Sequence, residues 1–193
     1  ALDDEPGRFR AVRAILRREP PTIDLPVGPD VEPLVAATLA LGDSYLAVQG
    51  PPGSGKTFRG ACMIVAALRA GRRVAITANS HAAIQNLLRA AEDRAAAEGV
   101  TGWRGVYKGG GYRSPHGLVK QVADNGATDG DHQLVAGTAW LLSREHHRER
   151  FDLLFVDEAG QLALANAVAA GTVARGIVLL GDPQQLPQVN QAA

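Results

Sequence analysis

The sequence predicts an α/β protein, a three-layer domain with a mostly parallel central sheet. Three observations carry this. From residue 34 onward, short apolar runs alternate with longer segments of helical apolar spacing. A glycine-rich turn at 50–57 joins one such run to a helix. A later run, 152–156, ends in two adjacent carboxylates. Strands that alternate with helices give a parallel sheet covered on both faces.

In chain order, residues 1–33 read as a leader. Phe9, Val12, Ile15 and Leu16 fall at helical spacing across 8–18, with arginines on the other face, so a docking or linker helix is expected. Pro20-Pro21 stops it, and Pro26, Gly28, Pro29 and Pro33 mark a turn-rich connector. Then follow a helix over 34–41 and a strand over 45–49. A helix over 58–70 ends before Gly71, and a strand spans 73–77. Ser80 is placed to cap a helix that runs to about Ala97. Residues 100–131 are Gly-rich and weakly patterned, so they read as an irregular insertion, with an edge strand near 105–107. A third strand at 133–136 leads into a short helix through Leu142 with Trp140 in the core. A charged, solvated stretch over 143–150 contains His146 and His147. Strand 152–156, helix 162–173 and strand 176–180 complete the pattern.

Composition narrows the function classes. At 46% hydrophobic and 21% charged residues, the 193-residue chain can bury a core. Zero net charge excludes a polybasic binder but leaves room for a local basic groove. One cysteine, Cys62, allows neither an internal disulfide nor a cysteine-held metal cluster; it is expected in the core. No apolar run reaches the length of a membrane span, and no membrane partner is expected. The N-terminal order is acidic rather than that of a signal peptide, so a reducing, cytoplasmic setting is expected.

Gly50-Pro51-Pro52-Gly53-Ser54-Gly55-Lys56-Thr57 matches the phosphate-loop pattern at every required position and stands between a strand and a helix. The glycines let successive N–H groups curl toward phosphate oxygens, and the helix N-terminus adds partial positive charge. Lys56, one of three lysines, is a mobile cation for the β- and γ-phosphates. The Thr57 hydroxyl can ligate Mg²⁺. ATP and Mg²⁺ are the expected cofactors. Asp157, at the end of Leu153-Leu154-Phe155-Val156, would share the Mg²⁺, and Glu158 would orient the attacking water. A last apolar run, 177–180, leads to Gly181-Asp182-Pro183-Gln184-Gln185-Leu186-Pro187, where a glutamine, Gln184 or Gln185, can touch the γ-phosphate.

Together these residues resemble the first RecA-like domain of a superfamily 1 helicase. Residues 50–57 are similar to motif I, 157–161 to motif II, and 181–187 to motif III. Val74 to Leu88, with Thr77-Ala78-Asn79-Ser80-His81, stands in the place of motif Ia, and Val135-Ala136-Gly137-Thr138 resembles the Gly-Thr segment that follows. The resemblance covers about 34–190 and points to the RNA-decay and replication branch. It also resembles bacterial chains that fuse a RecB-like nuclease to such a helicase, which would place a nuclease upstream. It implies single-stranded DNA or RNA as partner, contacted through Ser80, His81, Gly137 and Thr138. It also implies a second RecA-like domain that supplies arginine fingers. Residues 34–193 would then be ATPase domain 1 without its second half, binding nucleotide but hydrolysing it slowly. The sequence departs from the family at Asn79-Ser80-His81, where Pro-Ser-Asn is usual, and at Gln188, where Pro is usual. It also has no adenine-reading glutamine over 26–45.

Two alternatives stay open from sequence: a phosphotransferase that uses the same loop on a small acceptor, and a non-catalytic module in which ATP stabilises an interaction surface. Trp103 and Tyr107, with Arg104 and Lys108, suit either base stacking or an ordinary edge strand.

Overall fold

The computed structural model describes residues 7–24, 28, 30–51 and 53–181. After α1 (Arg10–Arg17) and α2 (Glu32–Ala40), the chain alternates strands and helices. The first part runs β1 (Tyr45–Gln49), α3 (Lys56–Arg69), β2 (Val74–Ala78) and α4 (His81–Ala97). The insertion follows with β3 (Gly105–Lys108) and β4 (Val119–Val122), then β5 (Leu134–Ala136) and α5 (Ala139–Leu142). β6 (Phe151–Asp157), α6 (Leu164–Gly171) and β7 (Ala174–Gly181) complete the described chain. The seven strands form one sheet in the order β1-β7-β6-β2-β5-β3-β4, and every pair is parallel.

Alternation along each strand divides the core into two layers. Leu46, Val48, Ile76, Leu153, Phe155, Val178 and Leu180 face α2, α3 and α4. Ala75, Leu154, Val156 and Ile177 face α1, α5 and α6. The leader helix docks here, with Ala11 and Val12 buried against the second layer. α2 starts earlier than the sequence pattern suggests. Pro33 sits in its first turn, where a missing N–H costs no helical bond.

The insertion differs from the irregular segment expected. β3 pairs with β5, and β4 pairs with β3, so 100–131 extends the main sheet. Glu92 of α4, fully buried, pins it there. Its carboxylate accepts from the Tyr112 hydroxyl at 2.6 Å, from the Leu118 N–H at 3.2 Å and from the Ser114 hydroxyl. Burial, with the hydrogen bond to Glu92, holds the Tyr112 hydroxyl well above its ordinary pKa. Trp103, just before β3, and Tyr107, within it, are buried core residues of this extension, and β3 lies between β5 and β4, an interior strand rather than the edge strand expected near 105–107. Cys62 is buried, as expected.

Two expectations need correction. Trp140 is not in the core. Ala139, Leu141 and Leu142 take the inward positions of the four-residue α5, and residue 140 is turned outward. His147 is not in a solvated stretch. It is fully buried, 3.1 Å from the Thr128 hydroxyl, beside Arg150 and an Arg144–Asp129 pair.

Burial, reinforced by the Arg150 charge, brings the His147 pKa down to about 4 from 6.5. The ring is therefore neutral when folded and takes its proton first in the unfolded chain. Its contribution is full above about pH 6.5 and is lost as pH falls toward about 4. The expected slope is up to about 1.4 kcal/mol per pH unit in that window. Urea unfolding at about pH 7 and about pH 5 should show this loss in the wild type and a smaller loss in His147→Gln. Equal losses would refute the assignment.

No described helix is long and apolar enough to cross a membrane.

Candidate functional site

Parallel strands bring their C-terminal ends to one edge, and the register fixes what meets there. Gln49 pairs with Gly181, Val156 with Leu179, and Ala78 with Asp157. The phosphate loop after β1 and the carboxylates after β6 are therefore separated by one strand, β7. The Gly50 N–H donates to the Gly181 carbonyl at 3.3 Å, tying the loop to that strand.

Within the loop, Gly53 and Gly55 have φ of 77° and 78°, a region that a Cβ disfavours. A side chain at Gly50 would collide with Ser54. The Ser54 hydroxyl is buried and has no hydrogen-bond partner among the described residues. Lys56 Nζ folds back and donates to the carbonyls of Gly50, at 2.6 Å, and of Pro51, at 2.8 Å. A tight backbone cradle, an unsatisfied buried hydroxyl and an ammonium held, among the described residues, only by neutral carbonyls fit a phosphate group. Thr57 follows in the first turn of α3. Pro52 lies outside the described residues.

Asp157 is 7% exposed at the end of β6. Burial pushes its carboxyl above its ordinary pKa, and the Glu158 charge adds to that. The Glu158 N–H, donating to Oδ1 at 2.9 Å, and the Lys56 charge oppose the rise. A buried carboxylate in the field of this lysine is suited to a divalent cation. Glu158 takes left-handed backbone angles, φ 51° and ψ 39°, and its carbonyl accepts from the Gln161 N–H at 2.8 Å. Gln185, with the rest of 182–187, lies outside the described residues.

The residues expected at a nucleic-acid track stand farther along the same edge. Ser80 Oγ caps α4 by accepting from the Ala83 N–H at 3.1 Å. Thr138 Oγ1 caps α5 by accepting from the Leu141 N–H at 3.4 Å. Each hydroxyl keeps its own hydrogen to donate elsewhere. The Gly137 N–H donates to the Ile76 carbonyl at 3.1 Å. His81 Nδ1 lies 2.7 Å from the Tyr107 hydroxyl, to which Gln85 also donates at 3.2 Å. Gln85 further donates to the Gly110 carbonyl at 2.7 Å. The sequence reading missed Gln85. Its place one helical turn after His81 was the available signal.

A family model described as an AAA domain matches residues 30–193. The curated proteins give no match. Among solved structures, the arterivirus nonstructural protein 10 (helicase) in complex with DNA is 20% identical. The TM-score is 0.51, over 82% of this chain and 33% of that one. A second structure of an arterivirus nonstructural protein 10 (helicase) is 19% identical, with a TM-score of 0.49, over 82% and 32%. This chain thus spans about a third of the viral chains' length. The likeness bears on the fold, and it agrees with a RecA-like parallel sheet carrying the loop and the carboxylates on one edge.

Proposed function

The chain belongs to the AAA domain family, and on that premise we propose that it is the ATP-binding domain of a helicase-type motor. In the full-length protein it would couple ATP hydrolysis to movement along single-stranded DNA or RNA. The observation that carries this is the meeting of Lys56 and the Asp157-Glu158 pair across a single strand.

In this reading the loop N–H groups of 50–57 hold the phosphates, with Lys56 on the β- and γ-phosphates. Thr57 and Asp157 hold Mg²⁺, which when bound would screen phosphate charge. Glu158 accepts the proton of the attacking water, and Gln185 reports the γ-phosphate. Phosphoryl transfer asks mainly for positioning and electrostatics, which a rigid sheet edge supplies. A second acid beside the metal-holding Asp favours water over an organic acceptor. The viral helicase structure with DNA supports a nucleic-acid partner, and Ser80, His81, Gly137 and Thr138 are its proposed contacts. A second RecA-like domain would supply the arginine fingers, and a nuclease-like region upstream of residue 1 is part of the same proposal.

The test is ATP hydrolysis by the parent chain with and without single-stranded oligonucleotides. A strand-dependent rise in rate is expected. ADP formation that depends on a small acceptor and ignores nucleic acid would overturn the proposal.

A further inference from the structure

The two tryptophans have opposite surroundings. Trp103 is 3% exposed, and its indole N–H donates to the Val100 carbonyl at 3.1 Å. Trp140 is 83% exposed. That exposure is built in rather than incidental. Ala139, Leu141 and Leu142 are buried, Leu141 fills the space beside Gly137, and Thr138 caps the helix start. With its neighbours fixed inward, residue 140 is turned out of this domain's core. An indole left in water forgoes the burial that this side chain usually obtains.

Its position gives the exposure a use. α5 starts just beyond the C-terminal end of β5, whose Ala136 is aligned with Ile76 and Tyr107. Trp140 therefore stands on the sheet edge that carries the phosphate loop, Asp157 and His81. Lys108, the last residue of β3, ends on the same edge. Val106 belongs to the same buried layer as Ala139 and Leu141, and alternation along β3 sends Lys108 to that same face. Lys108 has no hydrogen bond or ion pair among the described residues. An open aromatic face and an uncommitted cation thus flank the end of β5 on the α5 side.

We propose that Trp140 is a stacking platform for an unpaired base of single-stranded nucleic acid, with Lys108 taking a neighbouring phosphate. The proposal rests on the helicase-type reading above and adds to it the site at which a base is held. Every base offers a π-face, so the contact is tolerant of sequence, while the ammonium makes it sensitive to salt. A solvent-exposed surface for a second copy of the chain is the competing use of the indole, and the test separates the two.

The experiment titrates the full chain, with a non-hydrolysable ATP analogue, against thymidine and uridine oligomers. It follows tryptophan emission and, independently, oligomer anisotropy. Quenching is expected in the wild type and in Trp103→Phe. Trp140→Ala should bind roughly 5- to 150-fold more weakly and lose the quenching. Lys108→Ala should weaken binding alike for all sequences and flatten the salt slope by about 0.7. A retained nucleotide-induced thermal shift shows that each variant is folded. If the wild type binds oligomers without quenching and Trp140→Ala binds equally well, the platform is refuted and the helicase-type reading stands. If ATP stabilises the chain but no oligomer binds, both are refuted. If Trp140→Ala changes sedimentation but not oligomer affinity, the indole is a self-association surface and the platform is refuted.

Discussion

Replacing Glu158 with glutamine is expected to lower ATP hydrolysis about 10²–10⁴-fold while nucleotide binding is retained. The amide has the shape of the carboxylate but cannot take a proton from water. The backbone at this position makes the substitution informative. Glu158 is one of the few non-glycine residues with positive φ, a conformation that costs roughly 1 kcal/mol or more and persists only where the surroundings impose it. Here they do. The Glu158 N–H is held by Asp157 Oδ1, and its carbonyl closes the turn through the Gln161 N–H. Glutamine inherits those backbone bonds unchanged, so the side chain should stay at the strand end. Single-turnover hydrolysis, measured beside nucleotide affinity, checks the split. Equal rates in Glu158→Gln and the wild type would remove Glu158 from the chemistry.

The parts of the site legible in the sequence are those set by short-range pattern. The loop 50–57 needs glycine at fixed offsets, and Gly53 and Gly55 do adopt positive φ. An apolar run ending in Asp157 reads as a buried strand, and β6 is one. Ser80 reads as a cap and is one. What stayed hidden depends on residues distant in sequence. β4, Val-Lys-Gln-Val, has no apolar run and becomes a strand only because β3 offers it an edge. Glu92 looks like a surface charge on α4, and only its Tyr112, Ser114 and Leu118 partners make its burial affordable. His147 is similar, with Thr128 and Arg150 around it. Trp140 misled in the other direction. Large apolar residues are usually buried, but a helix of four residues has too few inward positions for Ala139, Trp140, Leu141 and Leu142 together.

Lys56→Ala is expected to remove most of the stabilisation that Mg·ATP gives the wild type. One site at 100 times its Kd adds about 2.7 kcal/mol, a rise in Tm of roughly 2–8 °C for a chain of this size. The lysine acts on both halves of the site. Its ammonium is bound to the Gly50 and Pro51 carbonyls, weak partners compared with a phosphate, so exchange onto the nucleotide gains charge-assisted bonds. It also opposes the burial that raises the Asp157 pKa. Without it, burial and the Glu158 charge act unopposed by a cation, and a proton competes better with Mg²⁺ at Asp157. Residual binding should therefore depend on Mg²⁺ only at higher pH than in the wild type. The apo Tm should change little, because the lost bonds end on loop carbonyls that water can reach. Thermal shift with and without Mg²⁺, across pH, reads all three effects. A wild-type Mg·ATP shift in Lys56→Ala would show that the phosphates sit elsewhere, and the roles of Asp157 and Glu158 would fall with that result.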